Sequence, residues 1–121
     1  MGPTFGNGKI CYIEIPALDV SVSSQFYADV FGWQVRGRGD GSVGFDDGVG
    51  EVSGTWVLGH APANSRSLMV HIMVDDMNAT IASVVSHGGE IVQPVGKDAP
   101  EITAHFKDPA GNVLGLYQHR R

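Results

Sequence analysis

The sequence C-Y-I-E-I-P-A-L-D-V occupies residues 11–20, and M-V-H-I-M-V-D-D-M occupies residues 69–77. Each stretch has the pattern of a β-strand that ends at an aspartate, and a helical segment follows each one. Asp19 precedes Gly32 by 13 positions, and Asp76 precedes Gly89 by the same 13. Each copy then reaches a G-x-V-x-G strand, at residues 50–54 and 111–115. This internal repeat predicts a duplicated unit of one strand, one helix and further strands.

The composition limits the class of protein. The 121 residues include 17 glycines and one cysteine, and the formal net charge is −5. This length suits one domain with a hydrophobic core, and a single cysteine excludes an internal disulfide framework. An acidic chain argues against nucleic acid as a partner, and no apolar run approaches the roughly 20 residues of a membrane span. The N-terminal residues lack the pattern of a signal peptide, so we expect a cytoplasmic protein.

The pattern along the chain predicts an α+β fold built from two βαβββ modules. We expect one module at about residues 9–58 and the other at about residues 67–119, within a single domain covering residues 1–121. Aspartate or serine side chains can cap the two helices, and the candidates are Asp19, Ser21 and Asp76. An apolar stripe in the first helix is formed by Val22, Phe26 and Val30. The segment 37–41 is rich in glycine, but no helix start follows it, so we do not expect a phosphate-binding loop.

Three motifs carry a family resemblance. They are I-E-I-P-A-L-D at residues 13–19, Q-F-Y-A-D-V-F-G-W at 25–33 and F-K-D-P-A-G-N-V-L-G-L-Y at 106–117. In this order they resemble the vicinal oxygen chelate superfamily, which includes glyoxalase I, bleomycin-resistance proteins and extradiol dioxygenases. The resemblance covers about residues 10–118. It implies two modules that form an open, curved, mixed β-sheet cup with the helices outside, and it implies a homodimer.

The resemblance also implies where a divalent metal would bind in the enzymes of the superfamily. Its ligands there are His or Glu side chains from the first and last strands of each module. In this chain the four matching positions are Tyr12, Gly54, Met69 and Gly115. A phenol, a thioether and two glycines would not hold a hard or borderline metal ion, so we predict no metal and no other cofactor. A replacement metal site made of Glu14, His71 and His105 stays open.

Other side chains of the predicted cup can bind a ligand or do chemistry. Because side chains alternate between the faces of a strand, Glu14 and His71 are expected to face the cup together with Tyr12 and Met69. Glu14 and His71 occupy equivalent positions of the repeat, and they are candidates for a general acid–base pair. The alternative is a structural ion pair or hydrogen bond between two strands. The predicted ligand-binding residues are Tyr12, Trp56, Met69, Met73, His105 and Tyr117.

Three functional hypotheses follow. The first is a protein of the bleomycin-resistance type, which binds a small apolar or aromatic molecule without the metal of the superfamily. The second is a metal-independent isomerase or lyase that uses Glu14 and His71. The third is a metal-dependent lyase or dioxygenase, which the four replaced ligand positions disfavour.

Overall fold

The computed structural model describes residues 2–119, and the chain in it divides into two compact units. Unit 1 is Met1–His60 and unit 2 is Ala61–Arg121. The elements of unit 1 are β1 (Tyr12–Pro16), α1 (Val20–Phe31), β2 (Gln34–Gly37), β3 (Val43–Asp46) and β4 (Ser53–Val57). The elements of unit 2 are β5 (His71–Val74), α2 (Met77–Ser86), β6 (Glu90–Gln93), β7 (Ile102–Lys107) and β8 (Val113–Gln118). Each unit therefore has the order βαβββ.

Each unit contains one open sheet of four strands with mixed pairing. The strand order is β1-β4-β3-β2 in unit 1 and β5-β8-β7-β6 in unit 2. The first and last strands of each unit pair in parallel, and the other pairs are antiparallel. The predicted α+β class with two βαβββ modules is confirmed. That residues 1–121 behave as one domain stays a prediction.

Local sequence signals set the helix ends. Asp19 caps α1 by accepting a hydrogen bond from the backbone N–H of Val22, and Asp76 caps α2 in the same way from Ala79. These side chains satisfy N–H groups that have no partner inside the helix. α1 ends at Gly32, which adopts the left-handed conformation that glycine tolerates best. Among residues 2–119, neither helix has the length and apolar character needed to cross a lipid bilayer.

The core of unit 1 is aromatic and lies between α1 and its sheet. The Tyr27 and Trp33 rings stack with centroids 4.6 Å apart, and Trp33 stacks on Phe45 at 4.5 Å. Trp56 packs against the same cluster, with its ring centroid 4.8 Å from that of Phe45. The buried residues of α1 are Ser23, Phe26 and Tyr27. Of the predicted apolar stripe, Phe26 is buried and Val30 is half-buried, but Val22 is exposed and was predicted wrongly. Tyr27 is buried instead, because α1 turns it toward the tryptophan rings.

The core of unit 2 is mostly aliphatic. Its fully buried side chains include Val84 of α2, Ala104 and Phe106 of β7, and Leu116 of β8. The alternation of side chains along β7 and β8 explains why these residues are buried, because residues 104 and 106 lie on one face of the sheet with 114 and 116. The other face is consequently free to carry polar side chains.

Candidate functional site

The two faces of each sheet differ in chemistry. We call the face that packs against the helix the helix face, and the opposite face the distal face. In unit 2 the strand register places two rows of side chains on the distal face. One row is Met73, Tyr117 and Thr103, and the other is His71, Gly115 and His105. The distal face of unit 2 is thus where most of the predicted site residues of this unit come together.

A pocket of about 400 Å³ lies on this distal face. The sheet contributes four of its lining side chains, and the segment between β6 and β7 contributes two carboxylates. The lining residues are His71, Met73, Asp98, Glu101, Thr103 and Tyr117. The Thr103 hydroxyl donates a hydrogen bond to Asp98 at 2.5 Å, which fixes the carboxylate-bearing segment over the sheet. The pocket combines an apolar ring and a thioether with polar groups at its margin, as ligand sites in proteins generally do.

Gly115 creates the space in which His71 lies. A Cβ atom built on Gly115 would be 2.3 Å from Cδ2 of His71, so the imidazole covers the position where a side chain would begin. The His71 and His105 rings meet edge to face across this gap, with centroids 5.8 Å apart. Burial lowers the pKa of His105, and the nearby charge of His71 lowers it further. Both effects favour the neutral form of the His105 imidazole, which can accept a proton or a hydrogen bond.

The distal face of unit 1 carries a guanidinium that the sequence analysis did not single out. Nη2 of Arg38 donates hydrogen bonds to the Tyr12 hydroxyl at 2.7 Å and to the Gly54 carbonyl at 3.2 Å. The group rests on Gly44, where a Cβ atom would lie 2.8 Å from Nε. The one sequence signal for this arrangement is a glycine in the middle of the short β3 strand, which leaves room for a neighbouring side chain.

The positions of Gly54 and Trp56 differ from the prediction. Both were expected on the face that carries Tyr12. Trp56 is instead 4% exposed, within the aromatic core on the helix face. A Cβ atom on Gly54 would likewise point at the Phe45 ring, 2.4 Å from Cζ. The face assigned to these two residues was wrong, and a ligand contact for Trp56 stays only a prediction.

The register gives the reason for this error. Glu14 pairs with Thr55, whereas the equivalent His71 pairs with Gly115, so Thr55 rather than Gly54 matches Gly115. Unit 1 has one more residue in the preceding turn. The backbone N–H of Asp47 bonds the carbonyl of Val52, five residues on, but the equivalent bond from Asp108 reaches Asn112, four residues on. A one-residue slip moves a side chain to the other face of a strand.

The other predicted site residues lie as follows. His71, Met73 and Tyr117 line the pocket of unit 2, with His105 next to His71. Met69 precedes β5 and is half-buried. Tyr12 and Glu14 lie on β1 of unit 1, and Glu14 is exposed. Because Glu14 belongs to unit 1 and His71 to unit 2, their pairing as general acid and base stays a prediction.

The donors present do not fit the metal of the superfamily. The Tyr12 hydroxyl accepts a hydrogen bond from a guanidinium, whose positive charge disfavours a cation beside it. Gly115 offers no donor, and the matching residue of unit 1, Thr55, donates its hydroxyl to the Val43 carbonyl at 2.7 Å. Within residues 2–119, no three side chains of His, Cys, Asp or Glu are grouped closely enough to hold an ion together.

The fold and the match to known proteins define the family of this chain. The duplicated βαβββ architecture and the pocket on its second sheet define a protein of the glyoxalase-like fold class. The profile of the Glyoxalase/Bleomycin resistance protein/Dioxygenase superfamily matches residues 9–116, and the chain belongs to this family. The resemblance noted in the sequence is thereby confirmed.

Three relatives illustrate the range of similarity. The chain is 31% identical over 126 residues to a "Glyoxylase-like domain-containing protein" of Didymella fabae, covering 91% of this chain and 93% of that protein. It is 29% identical over 130 residues to the "Putative glyoxylase CFP32" of Mycobacterium bovis, covering 97% of this chain but only 48% of that protein. A crystal structure of a family enzyme from Burkholderia phytofirmans superposes with a TM-score of 0.74 at 18% identity, over 88% of this chain and 95% of that one. The last likeness concerns the fold alone.

Proposed function

We propose that this protein binds a small, apolar or aromatic molecule in the pocket of unit 2, without the metal of its superfamily. The observation that carries the proposal is the pocket of about 400 Å³, in which Met73 and Tyr117 supply an apolar wall. A cavity of this size accommodates a molecule of one or two rings. His71 and Thr103 at the same surface can orient polar groups of the ligand by hydrogen bonding.

A thermal-shift screen tests the binding proposal. Small aromatic and dicarbonyl metabolites are the compounds to screen, since a ligand that binds only the native state raises the unfolding midpoint. Hits are then measured by calorimetry on Tyr117→Ala and on Val85→Ala, an exposed substitution on α2 that serves as the control. We expect Tyr117→Ala to weaken binding at least about tenfold, which corresponds to the loss of one ring contact. Equal affinities for both variants would place the ligand elsewhere.

Elemental analysis tests the absence of the metal. The donor chemistry described above supports metal-free binding, because hard divalent ions need carboxylate or imidazole ligands in place of glycine and thioether. Protein purified without chelators is expected to contain less than a stoichiometric amount of Zn, Ni, Fe and Mn. One full equivalent of any of these ions would instead favour a metal-dependent lyase or dioxygenase.

A second candidate function is a metal-independent isomerase or lyase. The observation that favours it is the position of His71, whose imidazole lines the pocket and lies edge to face against His105. In this function Glu14 and His71 would share the proton transfer. Once a ligand is known, Glu14→Gln is the discriminating variant. Retained binding with lost turnover supports catalysis, whereas unchanged turnover contradicts a role for Glu14.

Assembly and location belong to the same proposal. By analogy with its superfamily we propose a homodimer, which light scattering on the eluted protein would measure directly. We also propose a cytoplasmic location, which the single cysteine supports because disulfide frameworks are typical of secreted proteins. Fractionation of the source cells tests this second point.

A further inference from the structure

Arg38 is held in a fixed position on the distal face of unit 1. Three parts of the sheet fix its guanidinium: the Tyr12 hydroxyl from β1, the Gly54 carbonyl from β4 and the bare backbone of Gly44 in β3. The guanidinium carbon also lies 5.6 Å from the centre of the Tyr12 ring, a distance typical of a cation–π contact. The backbone N–H of Arg38 bonds the Ser42 carbonyl at 2.8 Å, so the chain that carries the side chain is fixed as well.

No carboxylate of unit 1 neutralises this cation. Both hydrogen-bond acceptors of Arg38 are uncharged, and among residues 2–119 no acidic side chain lies within ion-pair distance of it. The charge of Arg38 has a small effect on the pKa of Asp40. The pKa of Asp40 is lowered mainly by hydrogen bonds from Ser42, and Arg38 is the last of the contributors. Glu14, on the same face, makes no ion pair among the described residues.

The charge of the neighbouring Arg36, in the same sheet, is neutralised by an acidic partner. Arg36 forms a salt bridge with Asp46, and Asp46 also accepts a hydrogen bond from Ser53 at 2.6 Å. Arg36 thus has an ion-pair partner, while no acidic side chain of residues 2–119 lies within ion-pair distance of Arg38. The difference between two arginines separated by one residue makes Arg36 a matched control for Arg38.

We propose that Arg38 and Tyr12 form a binding site for the oxyanion of a small molecule, either a carboxylate or a phosphate. Nη2 is occupied by its two acceptors, whereas Nε–H and the two hydrogens of Nη1 have no acceptor among residues 2–119 and can donate to a ligand. Hydrogen bonds from a guanidinium to an oxyanion are among the stronger ones in proteins, and a fixed guanidinium loses little entropy on making them. The Tyr12 ring, 45% exposed, adds an apolar surface for the body of the ligand.

This inference goes beyond the proposed function and rests on contacts within unit 1 alone. The pocket of unit 2 is lined by Asp98 and Glu101, which repel an anion, so the two sites select different chemistry. An anion that binds at Arg38 is detected on the signals of Arg38 and Tyr12, whereas a ligand in the unit 2 pocket is detected on the signal of Tyr117. Failure of one proposal is distinguishable from failure of the other.

Nuclear magnetic resonance on the full chain tests the site. The Nε–Hε signal of Arg38 is followed in nitrogen-15-labelled protein at pH 7, with sodium benzoate in one titration and sodium phosphate in another. Sodium chloride keeps the ionic strength constant, because free ions screen exposed charges. We expect a saturable shift of this signal with at least one anion. Saturation by benzoate identifies a carboxylate on an apolar body, and saturation by phosphate identifies a phosphate group.

Variants decide whether Arg38 is responsible. Arg38→Gln is expected to weaken binding at least about tenfold, as measured on the amide signals of Tyr12 and Gly54, whereas Arg36→Gln retains affinity within about twofold. Arg38→Lys keeps the charge but loses the planar donors, and we expect an intermediate affinity. Should Arg38→Gln fail to fold, Arg38→Lys alone carries the comparison with Arg36→Gln. The proposal is overturned if neither anion gives a saturable shift, or if the Arg38 variants bind as tightly as Arg36→Gln.

Discussion

Gly54 and Gly115 are both glycines in the last strand of their unit, but their neighbours differ in how far they can move. A Cβ atom on Gly54 would lie 2.1 Å from the backbone carbonyl oxygen of Ile13 and 2.4 Å from Phe45 in the core. The atoms nearest to a Cβ atom on Gly115 would all belong to the imidazole of His71, at 2.3–2.8 Å. A side chain on the distal face can rotate away, whereas backbone and core cannot without loss of packing.

Alanine substitutions at the two glycines should therefore differ in how much they lower the free energy of unfolding. We expect Gly54→Ala to lower the free energy of unfolding by about 3 kcal/mol or more, and Gly115→Ala by about 1 kcal/mol with a displaced His71. Urea denaturation measures the first effect, and the carbon-bound proton signals of His71 report the second. Gly37→Ala is the control, since nothing lies within 4 Å of its Cβ position. Equal destabilisation at positions 54 and 115 would contradict the assignment of their faces.

The two imidazoles of the distal face give a pH dependence with a defined sign. Burial, and then the charge of His71, lowers the pKa of His105 below its ordinary value of 6.5. The folded protein consequently binds fewer protons than the unfolded chain just below pH 6.5. The contribution of His105 to the free energy of unfolding is thus fully present above this pH, and it decreases as the pH falls through the folded-state pKa of His105.

Removing His71 should reduce this pH dependence. In His71→Asn we expect the pKa of His105 to rise toward 6.5, and the loss of stability as the pH falls below 6.5 to shrink. Imidazole proton shifts measure the pKa, and urea denaturation measures the stability. His87→Asn, at the end of α2, is the control and should leave the pKa of His105 unchanged. Asp46 and Glu51 do not interfere, since their pKa values lie below ordinary values of 3.8 and 4.5.

The turn before β8 contains a network of buried polar groups. Asn112 is fully buried, and its Oδ1 accepts a hydrogen bond from the Ala63 N–H at 2.9 Å. Its Nδ2 donates to Asp108 at 2.9 Å, and the other carboxylate oxygen of Asp108 accepts from the N–H groups of Ala110 and Asn112. The turn D-P-A-G-N is therefore held by side chains as well as by its proline and glycine.

Replacing the buried Asn112 by alanine should lower the free energy of unfolding measurably. Asn112→Ala leaves Asp108 and the Ala63 N–H with fewer partners in a buried place, so we expect a loss of about 2–4 kcal/mol in the free energy of unfolding. Asn78→Ala, at an exposed position of α2, is the matched control and should cost less than about 0.5 kcal/mol. Denaturant titration compares the two. A loss at position 112 as small as at position 78 would mean that water replaces the network.

The elements also show which features a sequence determines locally. The Asp19 and Asp76 caps depend on atoms three residues away, and so they were predictable from the sequence. The buried side of α1 depends on Trp33 and Trp56, which come from outside the helix, so hydrophobic spacing alone chose Val22 instead of Tyr27. The position of Arg38 likewise depends on a gap at Gly44 in another strand. Such contacts join residues from different parts of the fold, and a single sequence gives only an indirect signal of them, such as the glycine at position 44.

At the scale of the whole molecule, the repeat predicted the architecture correctly and the equivalence of single positions less well. The aspartate-to-glycine spacing located both helices, because helix length is nearly the same in the two units. The last strands are out of step by the extra turn residue between Asp47 and Val52. Because the sequence motif ignores this residue, it matched Gly115 with Gly54 instead of Thr55. A repeat therefore predicts order and topology reliably, while the face of each side chain requires the hydrogen-bond register.

The size of the units leads to a prediction about unfolding. A unit of about 60 residues buries only about 60% of the surface that its unfolded chain exposes, and it is marginal alone. We therefore expect the chain to unfold in a single transition, as the predicted single domain requires. Both tryptophans, Trp33 and Trp56, belong to unit 1, so fluorescence reports unit 1, while far-ultraviolet circular dichroism reports both units. The two urea transitions should coincide.

A core substitution in unit 2 makes this test sharper. Phe106 is fully buried in unit 2, and Phe106→Ala should cost about 3–5 kcal/mol. If the units unfold together, the tryptophan fluorescence of unit 1 shifts to lower urea by the same amount as the dichroism. Val85→Ala, exposed on α2, is the control and should shift neither signal. An unchanged fluorescence transition in Phe106→Ala would show instead that unit 1 is stable by itself, and the repeat would then consist of two independently folding domains.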